Sequence, residues 1–124
     1  MNDTPITTRE RLLEIIESID LIISWSGKIK TPSDFLTTPQ NIMAFNACVM
    51  RLQVIGEHVG RLLKTDADLL NNHAEIPWLA IYDMRNIISH EYSHVDEEIV
   101  FSVIREDVPN LKAAINQMLN SILN

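Results

Sequence analysis

The sequence predicts an all-α fold in which one domain, spanning residues 1–124, forms an antiparallel four-helix bundle. Hydrophobic residues make up 46% of the chain, which is enough apolar side chain for one core in a domain of this size. Three glycines and five prolines are few for a chain of this length. Between them, Leu, Ile, Val and Ala recur over long segments with the spacing of amphipathic helices, which favours helices over many short strands.

The first helix is predicted to begin after Thr7 and to end near Gly27. Thr7 and Glu10 have the spacing of a capping box, in which each side chain accepts a hydrogen bond from the backbone N–H of the other residue. Glycine is typical just beyond the end of a helix. Residues 28–37 are expected to form a loop that holds a short turn. The apolar positions of the first helix are Leu12, Ile15, Ile16, Ile19, Ile22 and Ile23.

The second helix is predicted to start at Thr38, as the N-cap, and Pro39, as the first-turn proline. Gly56 and Gly60 are expected to let a neighbouring helix approach closely, at a cost of about 1 kcal/mol each in helix propensity. Cys48 lies in the apolar pattern and is expected to be a buried small hydrophobic residue. Spacings of four and three alternate as in the seam of an antiparallel bundle, through Ile42, Phe45, Val49, Leu52, Gly56, Val59 and Leu63.

A third helix is predicted to open at Pro77, after a polar loop at residues 65–76. Arg85 lies on a mostly apolar stripe of this helix. A cation in such a place is costly unless it faces a cleft or a partner, so Arg85 is a candidate functional residue. The stripe consists of Trp78, Ile81, Tyr82, Arg85 and Ile88.

A fourth helix is predicted to follow a polar connection at residues 89–95, with Asp96 as its cap. Pro109 is expected to kink this helix, because proline donates no backbone hydrogen bond and its ring crowds the carbonyl of Arg105. The apolar repeat of the helix is Val100, Ile104, Val108, Leu111, Ile115, Met118 and Ile122.

The segment from Met84 to Tyr92 combines groups that suit phosphate chemistry. Arg85 offers a rigid fork of donors that matches phosphate oxygens, and Asn86 adds an amide. His90 can take or give a proton near neutral pH. Together these three side chains are candidates for a site that handles a phosphate group.

The spacing of Arg85 and His90 constrains how they can share a site. Residues five apart are separated by about 140° around a regular α-helix, whereas Asn86 and His90 lie on one face. Either the helix ends near Ser89 and the chain turns, or a second copy completes the site across a symmetric interface. We expect both.

Charge and targeting features exclude several classes of protein. The net charge of −7 opposes broad attraction to nucleic acid, so any such contact must be local. The N-terminus lacks the basic and apolar regions of a signal peptide, and no apolar run is long enough for a membrane span. A single cysteine excludes an intrachain disulfide and suits a reducing cytoplasm.

Histidine spacing raises the question of a metal site. His90 and His94 are four apart and would form a metal pair if the helix continued through them, but no third ligand with matching spacing is evident. We therefore expect no metal and no other cofactor. His58 is expected to be a packed core or interface residue, and His73 a solvated one. The acidic residues 96–98 are expected to cap the fourth helix, although they could also repel nucleic acid from one side and so orient it.

The chain resembles the HEPN domain family, and in particular its HepT toxin branch, over about residues 8–122. Arg-x-x-x-x-His alone is a weak pattern, but here Asn follows the arginine directly and Tyr92 stands two residues after the histidine. The segments that carry the resemblance are residues 51–57, 76–78, 84–92, 95–96 and 107–111. Two places depart from the family pattern: residues 81–83 precede Met84 where glycine is common, and Phe101 stands where tryptophan is frequent.

The resemblance implies a homodimer in which the Arg/His segments of two subunits face one another in a shared cleft. It also implies a metal-independent RNase toxin whose catalytic pair is Arg85 and His90, with Asn86 as the polar residue beside the arginine. Tyr92 matches the tyrosine that a partner nucleotidyltransferase, the antitoxin, modifies with AMP to block the toxin.

Structural alternatives stand beside each of these roles. Arg85 and His90 could instead hold the dimer or a helix end through hydrogen bonds, and Tyr92 could be a half-buried phenol that packs a loop. The competing function is a non-catalytic helical interaction module that binds a nucleotidyltransferase and serves as its scaffold or modified substrate. The acidic net charge suits that alternative.

Overall fold

The structure is a computed structural model that describes the backbone of residues 6–90 and 95–123, with side chains at 6–84 and 95–122. Its α-helices are α1 (Thr8–Trp25), α2 (Pro39–Thr65), α3 (Ala67–Asn71), α4 (Trp78–His90), α5 (Glu97–Ser102) and α6 (Val108–Leu123). A 3₁₀ turn (Pro32–Leu36) precedes α2, and a π-helical segment (Val103–Asp107) joins α5 to α6. The described part of the chain contains no strand, which confirms the all-α prediction.

The core lies where α1 packs against α2 and α6, while α2 also packs against α4. The four predicted helices correspond to α1, α2, α4 and the continuous helical path from Glu97 to Leu123. The largest side chains that are almost fully buried are Phe35, Leu12, Ile15, Ile19, Ile22, Ile29, Ile55, Leu62, Leu70, Ile115 and Met118. Within the described ranges, no helix combines the length and the apolar character needed to cross a bilayer.

Helix α1 begins as the sequence predicts. The Thr7 side chain accepts a hydrogen bond from Glu10 N at 3.1 Å, and Glu10 Oε1 accepts one from Thr7 N at 3.3 Å, which completes the capping box. The helix ends at Trp25, where Ser26 N donates to the carbonyl of Ile22. Gly27 follows without a positive φ, so it lies near the end of the helix but does not form a left-handed cap.

The predicted turn between α1 and α2 is the 3₁₀ segment, which Asp34 holds in place. Its Oδ2 accepts hydrogen bonds from Lys30 N at 2.9 Å and from Thr31 N at 3.0 Å. These backbone hydrogen bonds lower the pKa of Asp34, because they favour the charged carboxylate. Phe35 of the same segment is buried and meets Phe45 edge-on, with 5.1 Å between ring centroids.

Helix α2 confirms the predicted cap and most of the seam. Thr38 Oγ1 accepts a hydrogen bond from Asn41 N at 3.0 Å. Ile42 is 43% exposed, however, so the buried seam starts later than the spacing predicts. The reason is position, since Ile42 lies in the first turn of the helix, at the edge of the bundle. Cys48 is fully buried as expected, and burial raises the pKa of its thiol to about 12.

The segment before α4 is more ordered and less polar than predicted. Residues 67–71 form α3, whose Leu70 is buried in the core. The indole Nε1 of Trp78 donates to the carbonyls of Leu70 and His73, each at 3.0 Å. The His73 side chain is only 15% exposed and lies 3.6 Å from Glu75, so the prediction of a solvated histidine is wrong. Packing of Trp78 over this segment explains both differences.

The last helical path confirms the cap at Asp96 and is irregular directly before Pro109, where the sequence predicts a kink. Asp96 Oδ1 accepts a hydrogen bond from Glu98 N at 2.7 Å. The irregularity takes the form of the π-helical segment directly before α6, in which Val108 N donates to the carbonyl of Val103, five residues earlier. Pro109 lacks a backbone N–H and would crowd the carbonyl of Arg105, so the widened turn accommodates its ring.

Candidate active site

Helix α4 carries the three predicted catalytic positions on one continuous stretch of backbone. It runs to His90, one residue beyond the predicted end near Ser89, and the turn expected after it falls at residues 91–94, outside the described residues. Nothing in Ile87-Ile88-Ser89 breaks a helix. Positions 85 and 90 therefore leave the axis about 140° apart, which favours completion of the site by a second copy. Tyr92 lies outside the described residues.

The two sides of α4 are chemically different before the motif begins. Tyr82 packs against α2 at Gly60, where a Cβ would stand 2.5 Å from Cε1 of the phenol ring. This contact confirms that Gly60 permits close approach of a helix. The opposite side of α4 borders an apolar cavity of 130 Å³, whose lining includes Ile81 and Met84 of α4 and Leu52 and Ile55 of α2.

Asp107 stands at the rim of that apolar cavity, in the π-helical segment. Burial raises the pKa of its carboxyl group, and the neighbouring charge of Glu106 raises it further. The structure thus places a carboxylate in poorly solvating surroundings beside the helix that carries Arg85.

On the Tyr82 side, α4 borders a groove of 490 Å³ that sequence analysis did not predict. Arg11 of α1 and Arg61 and Lys64 of α2 line it, together with His58 and Tyr82. The signal in the sequence was faint: residues 57, 61 and 64 follow the i, i+4, i+7 spacing of one helix face. The contribution of α1 depends on tertiary packing and has no local signal.

His58 forms one wall of this groove as a packed histidine, as predicted. It is 8% exposed. Its Nε2 lies 2.5 Å from Glu14 Oε2, and its Nδ1 lies 3.2 Å from Arg11 Nη1. A guanidinium can only donate, so Nδ1 accepts and the neutral ring carries its proton on Nε2, which donates to Glu14. The imidazole therefore links α1 to α2 and orients Arg11.

Metal ligands form no cluster in the part of the chain that the structure describes, where no three His, Cys, Asp or Glu side chains are placed to hold an ion. His94 is outside the described residues, and side chains are not described at position 90. The interpretation of His90 and His94 as a non-metal pair therefore stays a prediction.

Comparison with protein families decides the classification. Residues 12–118 match the family described as Ribonuclease HepT-like. The chain belongs to this family. The match confirms the HEPN and HepT resemblance and covers α1 to α6 except for the two ends of the chain.

Curated relatives of this HepT-like chain include proteins whose names contain RNase or ribonuclease. A protein of Thermococcus cleftensis named probable ribonuclease HepT is 30% identical over 110 residues, which cover 89% of this chain and 94% of the relative. A candidate RNase of Caldanaerobacter subterraneus subsp. tengcongensis is 30% identical over 115 residues, covering 91% and 95%.

A longer relative comes from Methanocaldococcus jannaschii and is named for both a gamma-glutamylcyclotransferase and a candidate RNase. It is 31% identical over 111 residues, which cover 90% of the HepT-like chain but 47% of the relative. The chain thus spans about half the length of that protein. No solved structure matches the chain significantly.

Proposed function

We propose that this protein is a metal-independent ribonuclease and the toxin half of a type VII-like toxin–antitoxin pair. The observation that carries the proposal is the match to the HepT-like ribonuclease family over residues 12–118, in a chain that holds Arg85, Asn86 and His90 in the family's motif order. Two relatives whose names include RNase or ribonuclease support the same class of reaction.

The chemistry follows from the properties of the three side chains. Arg85 binds and polarises the scissile phosphate, and Asn86 donates to its oxygens through the amide. His90 removes the proton from the ribose 2′-hydroxyl, or protonates the leaving oxygen. The 2′-oxygen attacks phosphorus, the bond to the 5′-oxygen breaks, and that oxygen takes up a proton. RNA supplies its own nucleophile, so DNA resists cleavage.

A homodimer supplies the geometry that one helix does not offer. Arg85 and His90 leave α4 in directions about 140° apart, which is too divergent for one small phosphate group. A two-fold interface that brings two α4 helices together presents Arg85 of one subunit opposite His90 of its partner. The active site is therefore a cleft between subunits.

Control of the toxin operates at Tyr92, two residues beyond the catalytic histidine. A cognate nucleotidyltransferase antitoxin transfers AMP from ATP: the phenol oxygen loses its proton and attacks the α-phosphorus, and pyrophosphate leaves. The product carries a phosphate charge and a nucleoside beside the cleft. Both repel or obstruct an RNA substrate. After incubation with ATP and the transferase, mass spectrometry should find the mass of one adenylate on the peptide that contains Tyr92. A Tyr92→Phe variant should stay unmodified and active.

The second candidate is a non-catalytic module that binds the nucleotidyltransferase. The net charge of −7 favours it, since RNA is repelled by most of such a surface. An assay with total RNA and tRNA, in the presence of a chelator, separates the two candidates. Cleavage that is lost in Arg85→Ala and His90→Ala, with an unchanged circular-dichroism spectrum, supports the ribonuclease. Undiminished cleavage in both variants would refute these catalytic roles, and no cleavage by the wild type would favour the binding module.

A further inference from the structure

The groove beside Tyr82 concentrates positive charge on an acidic protein. Arg11, Arg61 and Lys64 line it, against one carboxylate, Glu57. The chain as a whole carries 17 acidic and 10 basic residues. A local excess of cations in a concave surface attracts phosphate groups even when the net charge is negative, because the field of nearby charges dominates within a Debye length of roughly 8–10 Å.

Among the described residues, no carboxylate forms an ion pair with a cation of the groove. The contacts of carboxylates with basic side chains among the described residues join Glu14 to His58, Glu75 to His73 and Asp20 to Lys112, and none involves Arg11, Arg61 or Lys64. Arg11 donates instead to the Nδ1 atom of His58, which fixes the position of its guanidinium group. Arg61 and Lys64 are exposed at the rim of the groove.

Tyr82 connects this groove to the catalytic helix. Its ring lies in the wall of the groove and packs on Gly60 of α2. Position 86 follows position 82 by one turn of α4. Viewed along the helix axis, position 85 lies about 60° to one side of position 82, and position 90 lies about 80° to the other side. The groove thus lies along the helix face that leads towards the motif.

The groove is large enough for a segment of a single nucleic-acid strand and is much larger than a single ion requires. Its 490 Å³ falls within the range of roughly 300–1,000 Å³ that is typical of sites for ligands of drug size. Cations on two helices, α1 and α2, border it from different sides. Such an arrangement suits consecutive phosphates of a flexible strand, which are read by charge and not by sequence.

We propose that the groove lined by Arg11, Arg61 and Lys64 binds the sugar–phosphate backbone of the RNA substrate next to the cleavage site. Arg61 and Lys64 contact phosphates, and Arg11, oriented by His58, contacts the backbone deeper in the groove. This inference rests on the proposed ribonuclease function and adds the path by which the strand reaches Arg85. It also explains how an acidic protein holds RNA locally.

The test is binding of a fluorescent single-stranded RNA whose riboses are 2′-O-methylated, so that cleavage cannot occur. Fluorescence anisotropy at several salt concentrations gives the Kd and its salt dependence for the wild type and for the double variant Arg61→Ala/Lys64→Ala. Loss of two phosphate contacts should weaken binding by about tenfold or more. It should also reduce the slope of log K against log salt by about 1.4, at about 0.7 per contact on a single strand.

A matched control removes two lysines that lie away from the groove. Lys28 and Lys30 follow the C-terminal end of α1, whereas Arg11 lies near its N-terminal end, about 20 Å away along the helix. The variant Lys28→Ala/Lys30→Ala has the same net charge as the groove variant. It should keep the wild-type Kd within about twofold and the wild-type salt slope. Thermal unfolding of both variants checks that each is folded.

Equal Kd values and equal salt slopes in the groove variant and the control variant would overturn the inference. This result is distinguishable from failure of the proposed function, which is measured by cleavage. If the wild type cuts RNA through Arg85 and His90 but the groove variant binds normally, only the groove assignment falls. If the wild type binds RNA through the groove but cuts none, the groove stands and the ribonuclease assignment falls.

Discussion

Tyr82 of α4 packs so closely against Gly60 of α2 that a methyl group at position 60 would stand 2.5 Å from Cε1 and 2.6 Å from Cδ1 of the ring. This contact positions the helix that carries Arg85, Asn86 and His90, and it forms a wall of the basic groove. The spacing between α2 and α4 is therefore set one turn before the motif.

Replacing Gly60 by Ala should destabilise the protein, because the Tyr82 ring must move to make room. Overpacking of this kind costs about 1–3 kcal/mol, offset by about 1 kcal/mol from the better helix propensity of alanine. We therefore expect the free energy of unfolding, measured by urea titration, to fall by up to about 2 kcal/mol. Gly27→Ala is the control, since a Cβ there meets only ordinary contacts at 3.5 and 3.7 Å. Equal stabilities of the two variants would show that the Gly60 contact is not restrictive.

Removing the Glu14 carboxylate should destabilise the link between α1 and α2, because the Nε2–H group of the buried His58 loses its acceptor. Glu14 is half exposed, so water replaces it in part, and we expect Glu14→Ala to cost about 1 kcal/mol. Glu14→Gln keeps an acceptor oxygen and should cost less than about 0.5 kcal/mol. Chemical denaturation of both variants checks this order. If Glu14→Gln lowers the free energy of unfolding as much as Glu14→Ala does, the hydrogen-bond acceptor at position 14 does not account for the stability of this link.

Asp107 should make the protein less stable as the pH rises through the carboxyl range. Its pKa is raised in the folded state by burial and by Glu106, so the folded protein holds this proton more tightly than the unfolded chain does. Stability from this group is present at low pH and is lost as the carboxyl ionises. Asp107→Asn should therefore raise the Tm at pH 7 and leave it nearly unchanged at about pH 3.

Asp83→Asn, at an exposed carboxylate on α4, is the control for this experiment and should change the Tm less at pH 7. A Tm for Asp107→Asn that stays at or below the wild-type value at pH 7 would contradict the assignment.

Local sequence rules predicted the elements whose determinants are local. Thr7 with Glu10, Thr38 with Pro39, and Asp96 each cap a helix where the spacing indicates. The short helix α3 was missed because its stability comes from Leu70 in the core and from the Trp78 indole that donates to its carbonyl, neither of which is a local signal. His73 was misjudged for the same reason, since Trp78 packs across that segment.

The sequence predicted the residues of the candidate motif but not the groove that lies beside it. Arg85, Asn86 and His90 were chosen from residue type, spacing and the family resemblance, and their catalytic roles stay a prediction. The basic groove was not predicted, because Arg11 is far in sequence from Arg61 and Lys64, and only the packing of α1 on α2 brings them together.

The central claim is that Arg85 and His90 of different subunits form one active site, and heterodimers test it most directly. In a purified heterodimer of Arg85→Ala with His90→Ala, one of the two Arg85–His90 pairs formed between the subunits is complete, so we predict about half of the wild-type RNA cleavage. In a heterodimer of the wild type with the double variant, each Arg85–His90 pair lacks one side chain, and cleavage should be lost. The reverse pattern, with an inactive first heterodimer and a half-active second, would contradict the shared site.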